Sequence, residues 1–336
     1  SNTEMKLQDL TAAINSNRLA GNAQLQFADI NDLINKPETA SLQANLSNIR
    51  LQLREIYRFQ PDLRNNEYFR AVASAPVSGA IRINGKLDNL SVNPVNLNWR
   101  NTRINGSGTL LNATDPDRLA FNFPKVDFRT HRNDLLYFVK ESDLGISLPE
   151  DMRLQGSFRG NTTDISTTSN LVTSEGSVAI DGTFTSGEKL AFDSTIQGDS
   201  IALGKLLQNE ALGNMDITIK ATGSGSNVEN LNADLNSRIS SFTYNGYQFE
   251  NIDINGKLEN GKGPVNLIYQ DANLDMEAQT TVRLDSVSPR MDFTIYLDGA
   301  DLGALGITQQ TIKTGFTLEG WYEGNASQYE VEADII

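Results

Sequence analysis

The residues best suited to acid–base chemistry surround His131, which is the only histidine in this chain of 336 residues. Arg129, Arg132 and Asp134 lie within three positions of it. A Ser-His-Asp hydrolase would have to use this histidine as its general base, but the sequence contains no Gly-x-Ser-x-Gly nucleophile elbow. Neighbouring arginines are more typical of a surface loop, so the sequence predicts no catalytic residue here.

Acidic side chains are the other candidates for chemistry. Residues 112–117 (NATDPD) offer oxygen ligands of the kind that Ca²⁺ prefers, but they lack the EF-hand pattern, and Asp-Pro is ordinary turn chemistry. No carboxylate pair stands out for glycoside hydrolysis among the 42 acidic residues. Aromatic side chains that could stack on a sugar are also sparse, and the two tryptophans, Trp99 and Trp321, are the candidates. We therefore predict a protein that is not an enzyme and holds no metal or cofactor.

Composition excludes further classes of function. The net charge of −14 repels phosphate backbones, so a nucleic-acid partner is not expected. The absence of cysteine excludes disulfide frameworks, thiol nucleophiles and Cys-based zinc sites. The longest apolar run, residues 135–139, is far shorter than the roughly 20 residues that span a bilayer. Because the chain lacks an initial Met and a signal peptide, we expect it to be an internal piece of a longer protein.

A glycine-punctuated repeat predicts that any functional site is positioned by β-strands. Seven times an alternating stretch of apolar and polar residues meets a glycine, and alternation of period two is typical of strands with one apolar face. Dipeptides such as Asn245-Gly246, Asp181-Gly182, Asn255-Gly256 and Asp298-Gly299 favour hairpin turns between them. The predicted fold is mainly antiparallel all-β, with about twenty short strands at the usual spacing. The seven glycines are Gly85, Gly106, Gly156, Gly182, Gly223, Gly256 and Gly320.

Short segments with helical spacing interrupt the strands and are predicted to cover the ends of the sheet. A basic stretch over residues 42–72 also has helical spacing, and we expect a helical insertion at about 51–72, broken by Pro61. Part of this stretch alternates as a strand would. Acidic residues among its arginines favour a solvated face with internal ion pairs over a headgroup-binding site. We predict two continuous β-repeat segments, 1–149 and 150–336; the four short helical segments are 27–34, 126–139, 201–207 and 302–307.

The glycine-punctuated strands resemble those of the AsmA-like superfamily, and in particular a central segment of TamB-type translocation and assembly proteins. The likeness rests on residues 85–90 (GKLDNL), 254–260 (INGKLEN) and 201–207 (IALGKLL), and it extends from about Asn22 to the end. It implies an elongated sheet curled into a U-shaped, taco-like groove. It also implies a bridge across the periplasm of a diderm bacterium, anchored to a membrane through other segments.

In such a bridge the partners would be phospholipid acyl chains and an outer-membrane β-barrel assembly protein. Function would be phospholipid transfer between the inner and outer membranes, or outer-membrane protein assembly. The alternative is a structural or adhesive β-sandwich repeat of the cell envelope, in which the same apolar residues would form closed cores. A β-rich hydrolase is a third class. The predicted groove-lining residues are Ile217, Ile219, Ile252, Ile254, Leu267, Met276, Phe293 and Ile295.

Overall fold

The computed structural model describes residues 3–325 and 328–336, and it confirms an all-β antiparallel fold with only short helices. Strands make up 63% of the chain. No helix within the described ranges is long and apolar enough to cross a membrane. The chain forms two compact units: unit 1 comprises residues 1–144 and 148–174, and unit 2 comprises residues 145–147 and 175–336. The predicted division at residue 149 stays a prediction.

The described part of unit 1 contains nine strands, each paired antiparallel with the next along the chain. Its first and last strands do not pair with each other in the described residues, so its sheet is open. The strands are β1 (Glu4–Ile14), β2 (Asn17–Gln26), β3 (Ser41–Leu51), β4 (Val77–Lys86), β5 (Asn89–Trp99), β6 (Thr102–Leu111), β7 (Ala120–His131), β8 (Asp151–Asn161) and β9 (Asp164–Thr173).

In unit 2 the residues that the structure describes form ten strands with the same sequential antiparallel order. Its outermost strands are likewise not paired with each other within the described residues. The strands are β10 (Gly176–Thr185), β11 (Leu190–Ala202), β12 (Leu212–Gly225), β13 (Asn232–Tyr244), β14 (Tyr247–Leu258), β15 (Lys262–Gln270), β16 (Leu274–Arg283), β17 (Arg290–Asp301), β18 (Lys313–Gly324) and β19 (Tyr329–Ile335).

Of the dipeptides predicted as turns, Asn245-Gly246 does connect β13 to β14. Asn245 has a φ of 47° and Gly246 a φ of 80°, the left-handed conformation that tight hairpins require. The prediction was wrong for the other three dipeptides, which lie inside strands. Inside a strand, glycine is typical of a bulge, a bend or a site where a neighbouring group approaches the backbone closely. The three misassigned dipeptides are Asp181-Gly182 in β10, Asn255-Gly256 in β14 and Asp298-Gly299 in β17.

Three of the four segments with helical spacing contain a short helix. In the first, the Asp29 carboxylate accepts hydrogen bonds from the backbone N–H groups of Asn31 and Asp32, at 2.7 and 2.9 Å, and so caps the helix. The fourth segment, 302–307, forms only a turn. The helices are α1 (Ile30–Asn35), α2 (Glu67–Val72), α3 (Arg132–Leu135), α4 (Glu141–Leu144) and α5 (Leu203–Leu206), with 3-10 helices at Pro37–Thr39, Leu53–Arg58, Pro61–Asn65 and Val228–Asn230.

The basic stretch does not form long helices. Leu51 ends β3, and two 3-10 helices precede α2. Pro61 cannot donate a backbone hydrogen bond, so the first turn stops before it and a new turn begins there. The Asn66 side chain then accepts a hydrogen bond from the Phe69 N–H at 2.8 Å, which starts α2 as a separate helix. The segment is therefore a chain of single turns.

Candidate functional site

The eight residues predicted to line a groove share one face of the unit 2 sheet. Residues directly opposite each other on paired strands point to the same side. Ile217 on β12 lies opposite Ile239, and Ile239 lies opposite Ile252. Ile254 lies opposite Leu267 in the same way. The remaining members join this face through the pairs Ile196–Ile219, Tyr269–Met276, Thr280–Phe293 and Ala278–Ile295.

One line of directly opposed residues crosses all ten strands of unit 2, and we call it the apolar row. Ser237 is its only polar member. Nine strand spacings of about 4.8 Å give the row a length of about 43 Å along the sheet. We call the side of the sheet that carries it the apolar face. From β10 to β19 the row is Ile180, Ile196, Ile219, Ser237, Ile254, Leu267, Ala278, Ile295, Leu318 and Ile335.

Most residues of the apolar face are only partly buried. Of the eight predicted residues, only Ile252 is buried, with 7% of its surface exposed, and the other seven are half-buried. A second layer packed over this face, as in a sandwich, would bury most of them fully. The opposite face is polar, and Lys220, Asn266 and Asp292 on it are exposed. The sheet of unit 2 therefore has two chemically distinct sides.

The four repeat glycines of unit 2 lie on the apolar face rather than in turns. Gly320 is opposite Phe293, and a Cβ atom on Gly320 would lie 2.8 Å from the Phe293 Cζ atom. Gly256 is opposite Val265, whose Cγ2 atom would be 3.0 Å from an added Cβ atom. Glycine at these positions thus makes room for bulky neighbours. These two repeat glycines therefore contribute to packing within the sheet.

One end of the apolar face is closed by a small core. Tyr269 and Leu274 are buried there together with Leu305, which lies in the turn after β17. The Asp301 carboxylate accepts hydrogen bonds from the N–H groups of Gly303 and Ala304, at 3.1 and 3.0 Å, and so shapes this turn. The segment predicted to cover an end of the sheet does so as a turn. Ile252 and Ala300 complete the buried cluster.

A polar network at the same end is centred on Asp271. Its carboxylate accepts hydrogen bonds from the hydroxyl groups of Tyr247 and Tyr269, the latter at 2.7 Å, and from the N–H groups of Asn273 and Leu274, both at 2.7 Å. Burial alone would raise the pKa of Asp271, but the hydrogen bonds outweigh it and hold that pKa below its ordinary value. Burial and, to a lesser extent, the neighbouring Asp271 carboxylate raise the pKa of Tyr269. The network joins the β15–β16 turn to β14.

Unit 1 carries a similar line of residues that the sequence reasoning did not assign to a site. Leu19 lies opposite Ile49, and Leu97 lies opposite Ile104. The alternation that identified the unit 2 residues was present here too, but bulges and the basic stretch obscured it. The line from β2 to β9 is Leu19, Ile49, Gly79, Leu97, Ile104, Phe128, Leu154 and Leu171.

The cluster around His131 is held by structural contacts. The His131 Nδ1 atom accepts a hydrogen bond from the Asn133 N–H at 3.2 Å, and its Nε2 atom lies 3.2 Å from a Glu150 carboxylate oxygen. Asp134 is 1% exposed and accepts hydrogen bonds from the Asn101 N–H at 2.8 Å and the Thr102 hydroxyl at 2.9 Å. These contacts join α3 to the β5–β6 turn.

The two tryptophans are in different surroundings. Trp99 is buried, donates its indole hydrogen bond to the Val72 carbonyl at 2.8 Å, and packs edge-on against Tyr137 at 5.7 Å between ring centroids. Trp321 lies on the polar face of unit 2, where the Arg290 guanidinium sits 4.7 Å above its ring. It borders a shallow polar depression of about 860 Å³.

The acidic loop at residues 112–117 is organised as a turn. Asp115 accepts a hydrogen bond from the Asp117 N–H at 3.2 Å, and the Asn112 amide donates to the Arg118 carbonyl at 2.9 Å.

Asp127 on β7 is a carboxylate with a lowered pKa. Its hydrogen bonds from Arg153, at 2.7 and 3.0 Å, lower its pKa to about 2.

Searches against protein-family models, curated proteins and solved structures find no match.

What this arrangement can do follows from its side chains. The apolar face offers aliphatic and aromatic groups for dispersion contacts and for removing apolar surface from water, at about 25 cal/mol per Å². The polar face carries the charged residues. An extended surface with these two sides suits an elongated apolar ligand better than a small polar one.

Proposed function

We propose that the chain is a non-enzymatic segment of a periplasmic bridge in a diderm bacterium, whose apolar face binds phospholipid acyl chains. Its role is phospholipid transfer between the inner and outer membranes, or assembly of outer-membrane proteins. The observation that carries the proposal is the exposure of the apolar face: seven of eight predicted lining residues are only half-buried, although all are on one face.

In this proposal the sheet curls so that the apolar face lines a U-shaped, taco-like groove. Acyl chains would lie along the apolar row and leave water, while headgroups stay at the open side. The row of about 43 Å exceeds the length of one leaflet, which is half of a hydrocarbon core of about 30 Å. Several strands would therefore contact each acyl chain, and no single strand would be essential for binding.

A structural or adhesive β-repeat of the cell envelope is the second candidate. The observation that favours it is the buried cluster around Tyr269, which resembles a local sandwich core. Tyr269 itself is 2% exposed. In that case the apolar face would be covered by protein in the intact molecule and would not contact lipid.

Site-specific photo-crosslinking in the bacterium that makes the protein tests both candidates. A photoreactive residue would replace Ile219, Leu267 or Phe293 on the apolar face. The matched controls are the polar-face neighbours Lys220, Asn266 and Asp292, which lie next to them in the sequence. We expect phospholipid adducts at the first three positions only. Equal labelling of the two faces, or protein adducts alone at the apolar positions, would contradict the proposal.

A further inference from the structure

Unit 1 contains a separate apolar cleft of about 370 Å³ between the β1–β2 hairpin and the 3-10 helix Leu53–Arg58. Two of its apolar lining residues are unusually exposed to solvent: Ile14 is 67% exposed and Phe59 is 85% exposed. The volume lies at the small end of the range of ligand sites, roughly 300 to 1,000 Å³. The other apolar lining residues are Ala12, Leu19, Leu51, Leu53 and Ile56.

Hydrogen bonds fix the two walls of this cleft relative to each other. The Asn17 side chain accepts a hydrogen bond from the Gln52 N–H at 2.6 Å and donates one to the Glu55 carboxylate at 2.8 Å. Asn15 donates a further hydrogen bond to Glu55 at 3.4 Å. The hairpin turn is thus tied to the start of the 3-10 helix, and the cleft is formed before any ligand arrives.

The charged groups that line the cleft do not neutralise each other. Arg18 and Arg58 line it and are exposed, and neither makes an ion pair or a side-chain hydrogen bond within the described part of the chain. The only carboxylate in the lining, Glu55, is engaged by the two asparagine amides. Of these two arginines only Arg58 belongs to the basic stretch, and it forms none of the internal ion pairs expected there. The cleft therefore combines an apolar interior with two free guanidinium groups.

We propose that this cleft binds one single-chain amphiphile with an anionic phosphate headgroup. The acyl chain would cover Ile14, Leu19 and Phe59, and the phosphate would contact Arg18 and Arg58, since guanidinium groups match phosphate oxygens in pairs. The cleft volume suits one chain rather than two. This site lies in unit 1 and is independent of the groove proposed for unit 2.

The test measures binding of oleoyl lysophosphatidate below its micelle concentration to the whole chain, by calorimetry or by displacement of a fluorescent probe. Mono-oleoylglycerol has the same chain without phosphate, and glycerol phosphate has the same head without a chain. We expect saturable binding of one lysophosphatidate per chain, binding about tenfold weaker for mono-oleoylglycerol, and no measurable binding of glycerol phosphate.

Variants assign the binding to this cleft. Arg18→Gln and Arg58→Gln should each weaken lysophosphatidate binding about threefold, a modest effect because both side chains are exposed. Ala12→Trp, which fills the cleft, should weaken it about tenfold or more. Arg70→Gln removes an arginine from the same basic stretch but outside the lining, and it should leave binding unchanged. The thermal transition of each variant reports whether it is folded.

Three results would overturn the inference. Equal affinity for lysophosphatidate and mono-oleoylglycerol would exclude a role for the arginines. Unchanged binding in folded Ala12→Trp would place the ligand elsewhere. Binding to anionic phospholipid vesicles without binding of the monomeric amphiphile would make this region a membrane-docking surface. Because photo-crosslinking probes only unit 2, each proposal can fail without the other.

Discussion

Gly223 and Phe192 lie directly opposite each other on β12 and β11, and a Cβ atom on Gly223 would come within 2.5 Å of the Phe192 Cζ atom. The aromatic ring therefore occupies the space that the missing side chain leaves free. At this glycine of the repeat, as at Gly256 and Gly320, the missing side chain leaves space for an apolar side chain on the neighbouring strand.

We expect Gly223→Ala to lower the free energy of unfolding by about 1 to 3 kcal/mol, because the Phe192 ring must leave its position. The matched control is Gly299→Ala in β17, where an added Cβ atom meets nothing within 4 Å. Urea unfolding of both variants checks the prediction. Adding Phe192→Ala to Gly223→Ala should cost less than the sum of the two single changes, and strict additivity would contradict the packing argument.

Asp271→Asn should lower the free energy of unfolding by about 1 kcal/mol, a value reduced for solvent screening because Asp271 is exposed, since two tyrosine hydroxyl groups and two N–H groups lose a charged acceptor. Asp234→Asn removes the same charge from a position that is also exposed but whose side chain makes no hydrogen bond or ion pair in the described part of the chain, and it serves as control. Because the pKa of Asp271 is lowered on folding, its ionisation stabilises the fold above pH 4, and this contribution disappears as pH falls through the lowered pKa. A variant as stable as the wild type at neutral pH would show that the network does not support the fold.

Asp127 should make unit 1 sensitive to acid. Its pKa falls from 3.8 to about 2 chiefly through the hydrogen bond from Arg153, so its ionised form stabilises the folded state above about pH 4. That stabilisation is lost as the pH falls through about 2. Asp127→Asn should cost about 1 kcal/mol at neutral pH, a value reduced for solvent screening, and little near pH 2. Urea unfolding at both pH values, with Asp62→Asn as control, measures this difference.

Leu305→Ala should destabilise the end of the apolar face by about 2 to 4 kcal/mol, because Leu305 is 6% exposed and packs in the cluster with Tyr269. Ile307→Ala lies two residues away at a side chain that is 58% exposed, and it should have little effect. Thermal unfolding compares the two. Similar losses for both would indicate that the turn does not cover the sheet end.

Ile254→Glu should reduce phospholipid adducts at Leu267, which lies directly opposite it in the apolar row. A carboxylate placed among acyl chains would have to lose its water, at a cost of several kcal/mol, so lipid would avoid this part of the row. Asn255→Glu introduces the same charge on the polar face and should leave the adducts unchanged. Equal loss in both variants would point to a general effect on folding or charge.

The sequence predicted which side chains share a face only where alternation was unbroken. Ile217 and Ile219 lie on one face of β12 because the side-chain period of a strand is a local property. A bulge disrupts it: Met215 and Ile217 on β12 lie opposite Phe242 and Ile239 on β13, so two β13 residues of opposite parity share the apolar face.

The same effect explains the helix predicted in the basic stretch. A register shift between Leu46 and Ile49 gives these strand residues a spacing of three, which imitates a helix. The pairing of a given glycine with a given aromatic residue depends on register across strands. No pattern within one strand contains that information. The arginine-lined cleft was not predictable for the same reason, since its walls come from segments about forty residues apart.

The sequential strand order within each unit has a consequence for how the protein acquires its structure. Every strand after the first in a unit pairs with the one before it in the chain, so sequence separations between contacts stay short for a β protein, and little loop-closure entropy opposes each addition. Folding can then propagate vectorially, strand by strand, while the chain is still emerging from a ribosome or a secretion channel. Gain or loss of a whole hairpin would lengthen or shorten such a sheet and leave the register of the remaining strands intact.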